Sequence, residues 1–339
     1  MRAALALAAR GLGRVWPNPA VGCILVQPGP PECVVGRGWT QPGGRPHAEA
    51  DALARAGDAA HGATAYVTLE PCSHTGETPP CADALVTAGV GRVVVAIQDP
   101  DERVAGRGIQ RLREAGIPVA LGCEAIAARR LNAGFLSRVE RGRPWVALKT
   151  ATSLDGRIAT ASGKSQWITG PEARARGHLL RARFDAILTG SGTVRADNPR
   201  LTCRLRGLED RSPLPVVMRG REPLPTDGHL MTGGLTRYFG DGERPDPAAV
   251  LAELASSGVT RLLIEAGAGI ASAFLNQDLV DEIHWFRAPS VIGADGLAAI
   301  GDLGHDSPDD LAEFEVIERC RVGVDTYEVL RRKSAGMED

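Results

Sequence analysis

The stretch that most constrains this 339-residue chain runs from His47 to Cys81, reading HAEADAL and then AYVTLEPCSHTGETPPC. One imidazole and two thiols, His47, Cys72 and Cys81, are preferred zinc donors, and three of them leave a fourth position for water. A structural zinc site normally closes with four protein ligands, so an open set of three points to a catalytic metal. Bringing the three together restricts the fold. In mid-helix, residues two apart do not share a face, so His47 and Glu49 converge only where a helix begins. Gly43, Gly44 and Pro46 lie just upstream and favour a start there. A strand predicted over 65–70 delivers Pro71-Cys72. Cys81 follows Pro79-Pro80 at the mouth of a helix predicted over 82–88. Helix N-termini carry partial positive charge and lower thiol pKa values, which suits the thiolate a metal requires.

An H-x-E motif followed by P-C and a second cysteine is the signature of zinc deaminases, in which the Glu carries protons and is not a ligand. Glu49 takes that place here, although eight residues rather than two separate the cysteines. The competing readings are coincidence, or a zinc that only holds the fold. A fold-holding zinc has no use for Glu49.

Composition narrows the partners. Net charge is −2 and aromatic content is 4%, which argues against the basic, aromatic-studded surface of a nucleic-acid deaminase. No apolar run reaches the ~18–20 residues of a membrane span. The N-terminal MRAALALAARGLGR has helically spaced apolar positions between arginines and reads as an amphipathic first helix, not an export signal. Seven cysteines without disulfide-framework spacing point to a reducing cytosol and a cytoplasmic protein.

Helices and strands alternate through the first 140 residues. Strands are predicted over 20–26, 65–70, 92–97 and 118–121, with a hairpin partner at 33–36. Helices follow over 82–88, 105–115 and 124–133. This pattern predicts a mainly parallel sheet covered on both faces. Cys72 and Asp99 fall just past strand ends, at one rim, where ligands bind in such sheets. The pattern restarts near residue 143 with a strand over 145–151. It continues with helices over 171–182, 247–257 and 270–276, and strands over 186–189, 215–218, 261–265 and 282–287. A loop is expected over 190–202, a proline- and glycine-rich stretch to about 247, and a closing antiparallel hairpin. Two turns suit a phosphate, 189–193 and Gly267-Ala268-Gly269. A Rossmann fingerprint is not met, because its third glycine would fall at Ser272.

Taken in order, PNPAVGCILV, HAEADAL, TLEPCSHTGETPPCADAL, QDPDERVAGRG, LNAGF, LKTATSLDGRIATASGKSQWITG, ILTGSGTVRADNPRLTCR and EAGAGIASAFL resemble the bifunctional pyrimidine deaminase–reductase family of riboflavin biosynthesis. The likeness covers nearly the whole chain and is weakest between about 205 and 260. It implies an α/β protein with two domains: a cytidine-deaminase-like three-layer α/β/α domain over 1–143 and a dihydrofolate-reductase-like α/β domain over 144–339. It also implies zinc in the first, NADPH in the second, small-molecule phosphoribosyl pyrimidine substrates, no nucleic-acid or membrane partner, and a homo-oligomer.

By the same resemblance, Asn18, His74 and Asp99 match deaminase substrate positions. Lys149 matches a catalytic lysine near the reacting sugar, and Ser165, Arg181, Leu201, Arg204 and Glu265 match reductase substrate positions. Ala151, Trp167, Thr193, Asp197 and the run Gly267, Ala268, Gly269, Ile270, Ala271, Ser272, Ala273 match cofactor positions. Three departures stand out. Glu77 replaces a common Lys or Arg in a segment thought to meet the substrate phosphate. Arg219-Gly220-Arg221 replaces a common Asp-Ser, which puts the cofactor contact there in doubt although an arginine pair suits the 2′-phosphate of NADPH, and Asn198 replaces a second aspartate. The first two keep open a protein with only one activity intact; the other alternative is a nucleic-acid or nucleoside deaminase with an accessory nucleotide-binding domain.

Overall fold

In the computed structural model, which describes residues 1–74, 79–307 and 311–333, the chain divides into two units, Met1–Gly142 and Arg143–Asp339.

The first unit has strands β1 (Gly22–Gln27), β2 (Cys33–Trp39), β3 (Thr64–Val67), β4 (Arg92–Val95) and β5 (Val119–Leu121). Its helices are α1 (Arg2–Ala8), α2 (Ala48–Ala56), α3 (Cys81–Thr87), α4 (Arg107–Glu114), α5 (Ala125–Leu131) and α6 (Ala133–Arg141). The sheet order is β2-β1-β3-β4-β5. The expected mainly parallel sheet is corrected to a mixed one. β1 runs antiparallel to β2 and β3, and only β3-β4-β5 is parallel. The β1–β2 hairpin reverses the chain before α2, so β3 returns against β1.

Two glycines show how the helices cover both faces. A Cβ on Gly38 would lie 2.1 Å from the Ala48 carbonyl of α2, and one on Gly22 would lie 1.9 Å from the Ala4 carbonyl of α1. Gly38 pairs with Cys23, the neighbour of Gly22, so the two glycines face opposite sides of the pleat. α1 and α2 therefore sit on opposite faces, giving three layers. Leu25, Val67, Leu85, Val95 and Leu112 fill the core. The single helix expected over 124–133 is corrected to two, α5 and α6. They part at Asn132, whose buried amide exchanges two 3.0 Å hydrogen bonds with the backbone of Ala20.

The second unit has strands β6 (Trp145–Thr152), β7 (Arg157–Ala159), β8 (Ala186–Gly190), β9 (Leu214–Met218), β10 (Arg237–Phe239), β11 (Arg261–Ile264), β12 (Glu282–Arg287), β13 (Leu297–Ala298), β14 (Phe314–Val322) and β15 (Asp325–Arg332). Its helices are α7 (Pro171–Arg181), α8 (Ser191–Asp197), α9 (His229–Thr232), α10 (Pro247–Ser256) and α11 (Ala268–Leu275). The main sheet runs β10-β9-β8-β11-β6-β12-β15-β14, and β13 pairs with β7. Strands β10 through β12 are parallel, and β15 and β14 add antiparallel. The closing hairpin is as predicted. The loop expected over 190–202 is corrected, because its first half is helix α8. The proline- and glycine-rich stretch holds α9 and β10.

Ile187, Leu188, Val217, Leu263, Phe286 and Tyr327 are buried in this sheet. Arg143 donates twice to Asp281, at 2.7 Å each, and Asp281 also accepts from Val146 N at 2.8 Å, pinning the start of β6. The carboxyl ends of the parallel strands open on one crevice.

Candidate active sites of the two units

In the first unit, His47 is the extended residue that caps α2, and Glu49 lies in the first turn. Cys81 opens α3 and donates its backbone amide to Cys72 Sγ at 3.3 Å. Cys72 follows β3, whose regular ladder ends at Val67 rather than at residue 70. His47 Nδ1 lies 3.6 Å from Cys72 Sγ and 3.4 Å from Cys81 Sγ, and all three donors fall within 4.8 Å of one another. Tetrahedral zinc, with bonds of ~2.1 Å to nitrogen and ~2.3 Å to sulfur, places such donors about 3.6 Å apart. The donor set fits zinc.

The electrostatics set the two thiols apart, and only Cys72 is lowered. The Cys81 side chain first, and then His47, hold the Cys72 thiol down at about 4 against burial. Cys81 is raised in turn by its bond to Cys72 and by burial. Glu49 is 3% exposed; burial and the Cys72 charge push its carboxyl up to about 7, while it hydrogen-bonds to Cys81. The acid therefore sits beside the ligands.

The structure brings Asn18 to this rim. A Cβ on Gly44, which has φ +85°, would lie 1.8 Å from Asn18 Nδ2, so only glycine leaves room for that side chain. Asp99 is buried, which raises it to about 6. His74 keeps a buried Nδ1 with no partner among the described residues. Glu77 lies outside the described residues.

Sequence reasoning missed Glu70. Its buried carboxylate accepts the amides of Asp99 (3.2 Å), Gly106 (3.0 Å), Gly108 (2.9 Å) and Ile109 (3.1 Å). Glu70 thus ties the segment bearing Asp99 to the one bearing Cys72. Its position two residues before Cys72 was the available signal.

In the second unit, Lys149 on β6, Arg181 at the end of α7 and Glu265 after β11 meet in the crevice. Arg181 donates Nε and Nη2 to the two Glu265 oxygens at 2.8 and 2.9 Å, and Nη1 to the Thr202 carbonyl at 3.0 Å. Lys149 Nζ is 3.7 Å from Glu265. Burial alone would raise Glu265, but Arg181 and Lys149 outweigh it and hold the carboxyl at about 2. The Arg204 guanidinium has no bonded partner among the described residues, and Leu201 is buried with φ +55°. His178 and Arg174 were missed. With Arg181 they recur at i, i+4 and i+7 along α7, a spacing readable in sequence; burial, then Arg181 and Arg204, lower the His178 pKa. Arg174 stacks 4.5 Å over the Trp167 ring.

A cleft of about 820 Å³ continues from these residues across the sheet. Ala151, Ser165, Trp167, Thr193, Asp197, Leu201 and Asn198 line it, with Gly267 through Ile270. The first turns of α8 and α11 both open into it, and a Cβ on Gly192 or Gly267 would meet nothing within 4 Å. Bare backbone at two helix starts fits the pyrophosphate of a dinucleotide. Ala271, Ser272 and Ala273 lie deeper in α11, outside that lining, and Ser272 Oγ instead accepts from the Gly301 amide at 2.8 Å.

Comparison with known proteins agrees with both sites. A family model described as "Cytidine and deoxycytidylate deaminase zinc-binding region" matches residues 1–97, and one described as "RibD C-terminal domain" matches residues 144–326. The riboflavin biosynthesis protein RibD of Escherichia coli is 41% identical, over 96% of each chain. That of Aquifex aeolicus is 37% identical, over 90% of this chain and 89% of its own. Among solved structures, Acinetobacter baumannii RibD superposes with TM-score 0.91 at 38% identity, over 98% of each chain. A Thermotoga maritima diaminohydroxyphosphoribosylaminopyrimidine deaminase/5-amino-6-(5-phosphoribosylamino)uracil reductase gives 0.88 at 32%, over 98% and 97%. These matches disfavour the accessory-domain and single-activity alternatives. No described helix is long and apolar enough to cross a membrane. With a zinc-binding deaminase region followed by a reductase domain, and full-length likeness to relatives that carry both, the chain belongs to the RibD family of bifunctional riboflavin-biosynthesis deaminase–reductases.

Proposed function

We propose that residues 1–143 carry the deaminase and 144–339 the reductase, with the roles below. In the first, His47, Cys72 and Cys81 hold zinc, which when bound brings a water's pKa toward ~7. Glu49 would accept that water's proton and pass it to a ring nitrogen of 2,5-diamino-6-(5-phosphoribosylamino)pyrimidin-4(3H)-one, then take the proton of the hydroxyl added at carbon 2 and hand it to the departing amino nitrogen. A C–O bond forms at ring carbon 2 as its C–N bond breaks, releasing ammonia. Asn18, His74 and Asp99 hold the pyrimidine and its ribose phosphate.

In the second, bound NADPH would provide the hydride for reducing the ribosyl carbon of 5-amino-6-(5-phosphoribosylamino)uracil, and a proton from solvent would complete the ribityl product. Lys149 polarises the open-chain aldehyde or imine, and Glu265 holds it in place from 3.7 Å. Arg204 has a free guanidinium for the substrate phosphate. Arg181, bound to Glu265, braces that wall, with Ser165 and Leu201 beside it. Ala151, Trp167, Thr193, Asp197 and the start of α11 seat the cofactor. The cytosol is the compartment we assign, supported by seven unpaired cysteines. Assembly into a homo-oligomer belongs to the same reading and is checked by light scattering.

The observation that carries this reading is the three donors at zinc-ligand spacing with Glu49 buried beside them. A two-stage assay tests it. Ammonia should appear from the diaminopyrimidine phosphate without nucleotide, and nicotinamide absorbance should then fall on adding NADPH. Absence of the first signal from zinc-replete protein overturns the deaminase assignment; absence of the second overturns the reductase.

A further inference from the structure

The cleft of the second unit has a far end that the residue roles above leave unused. Sheet order places β6, with Lys149 and Ala151, three strand steps from β9, or ~14 Å. A dinucleotide whose reacting ring lies at Lys149 and whose pyrophosphate lies at the starts of α8 and α11 extends its adenosine toward β9. Arg219, the residue after β9, waits there, and its Nε is buried with no partner among the described residues. Tyr238 lies under the guanidinium, 5.8 Å from ring centre. Arg244 reaches in from the same rim. Its Nη1 donates to the Gly269 carbonyl at 3.3 Å, over the first turn of α11.

Neither arginine faces an acid among the described residues, whereas the nearby Arg195 is neutralised by Glu222 at 2.8 Å. The Gly220 amide is already spent on Ser191 Oγ at 3.2 Å, and Gly220 offers no side chain. Recognition of an anion at this rim therefore falls to the two guanidinium groups, which suit a phosphate monoester better than a neutral hydroxyl.

We infer that Arg219 and Arg244 are the groups of this chain that bind the 2′-phosphate on the adenosine ribose of the family's cofactor, NADPH. A cofactor with a free 2′-hydroxyl leaves both guanidinium groups without an anionic partner, Arg219 partly buried, and that penalty creates the discrimination. The inference rests on the reductase reading.

Calorimetric titration of the full chain with NADP+, NAD+, 2′,5′-ADP and 5′-AMP tests it. The wild-type protein should prefer each 2′-phosphorylated ligand by roughly 10- to 100-fold. Arg219→Met and Arg244→Met should each lose about tenfold of that preference while NAD+ affinity stays within about twofold. Arg219→Lys, which keeps the charge and most of the side-chain bulk, should retain part of it. Unchanged NADP+/NAD+ ratios in both Met variants, or equal loss of both ligands, would overturn the assignment while leaving the reductase intact. Failure of the wild-type protein to bind any nicotinamide nucleotide would overturn the reductase reading together with it.

Discussion

Arg181 and Glu265 face each other through two parallel hydrogen bonds, 2.8 and 2.9 Å long, from a helix end and a strand end that lie 84 residues apart. This pair fixes how the reductase crevice responds to acid. Glu265 has an ordinary value of 4.5 and is held at about 2, because Arg181 and Lys149 outweigh burial. A depressed folded pKa contributes stability above the unfolded value and loses it as pH falls from about 4.5 toward about 2. Glu265→Gln should lower the melting temperature at pH 7 by several degrees, on the order of 3 kcal/mol, by leaving two cations unpaired. The gap between wild type and variant should narrow below pH 4. Parallel melting curves across that range would refute the linkage.

Glu49→Gln keeps the shape of the side chain and the three metal donors. Zinc content by mass spectrometry should stay near wild type, and kcat for ammonia release should fall by about 10²–10⁴. Unchanged turnover would remove Glu49 from the proton path.

Lys149→Ala should leave ammonia release within about twofold and reduce NADPH oxidation by at least about 10², since one electrostatic contact to the reacting group commonly has that effect. Loss of both activities would argue against separate sites.

Glu70→Ala leaves three buried amides and the half-buried amide of Gly106 without their acceptor, which costs ~1–3 kcal/mol for each group that water cannot reach. Lower stability, a raised KM for the diaminopyrimidine and retained zinc are the expected combination. Loss of zinc with unchanged KM would mean that Glu70 supports the metal loop instead of the segment bearing Asp99.

Much of the first site was legible because its chemistry is written locally. His47 and Glu49 need a helix start, and Gly44, Pro46 and the paired prolines before Cys81 supply two. The sheet's direction was harder to read, although the hairpin that reverses it was predicted. α8 escaped because Gly190-Ser191-Gly192-Thr193 has poor helix propensity. Its helix follows from packing, with Val194 buried at 1% exposure. Glu70 escaped because nothing in TLEPC says which distant amides will converge on a carboxylate. Arg219 and Arg221 read in sequence as a pair suited to the 2′-phosphate of NADPH, but that Arg244, not Arg221, lines the cleft with Arg219 is visible only in three dimensions.

Gly38 lies on a plain edge strand and touches no substrate, yet the backbone of α2 rests where its Cβ would be. Any larger residue there must push away the helix whose first turn carries Glu49 and whose cap is His47. In a saturation screen for ammonia release, this position should tolerate as little as the metal ligands do, and a survey that ranks residues by distance from the reaction would pass over it.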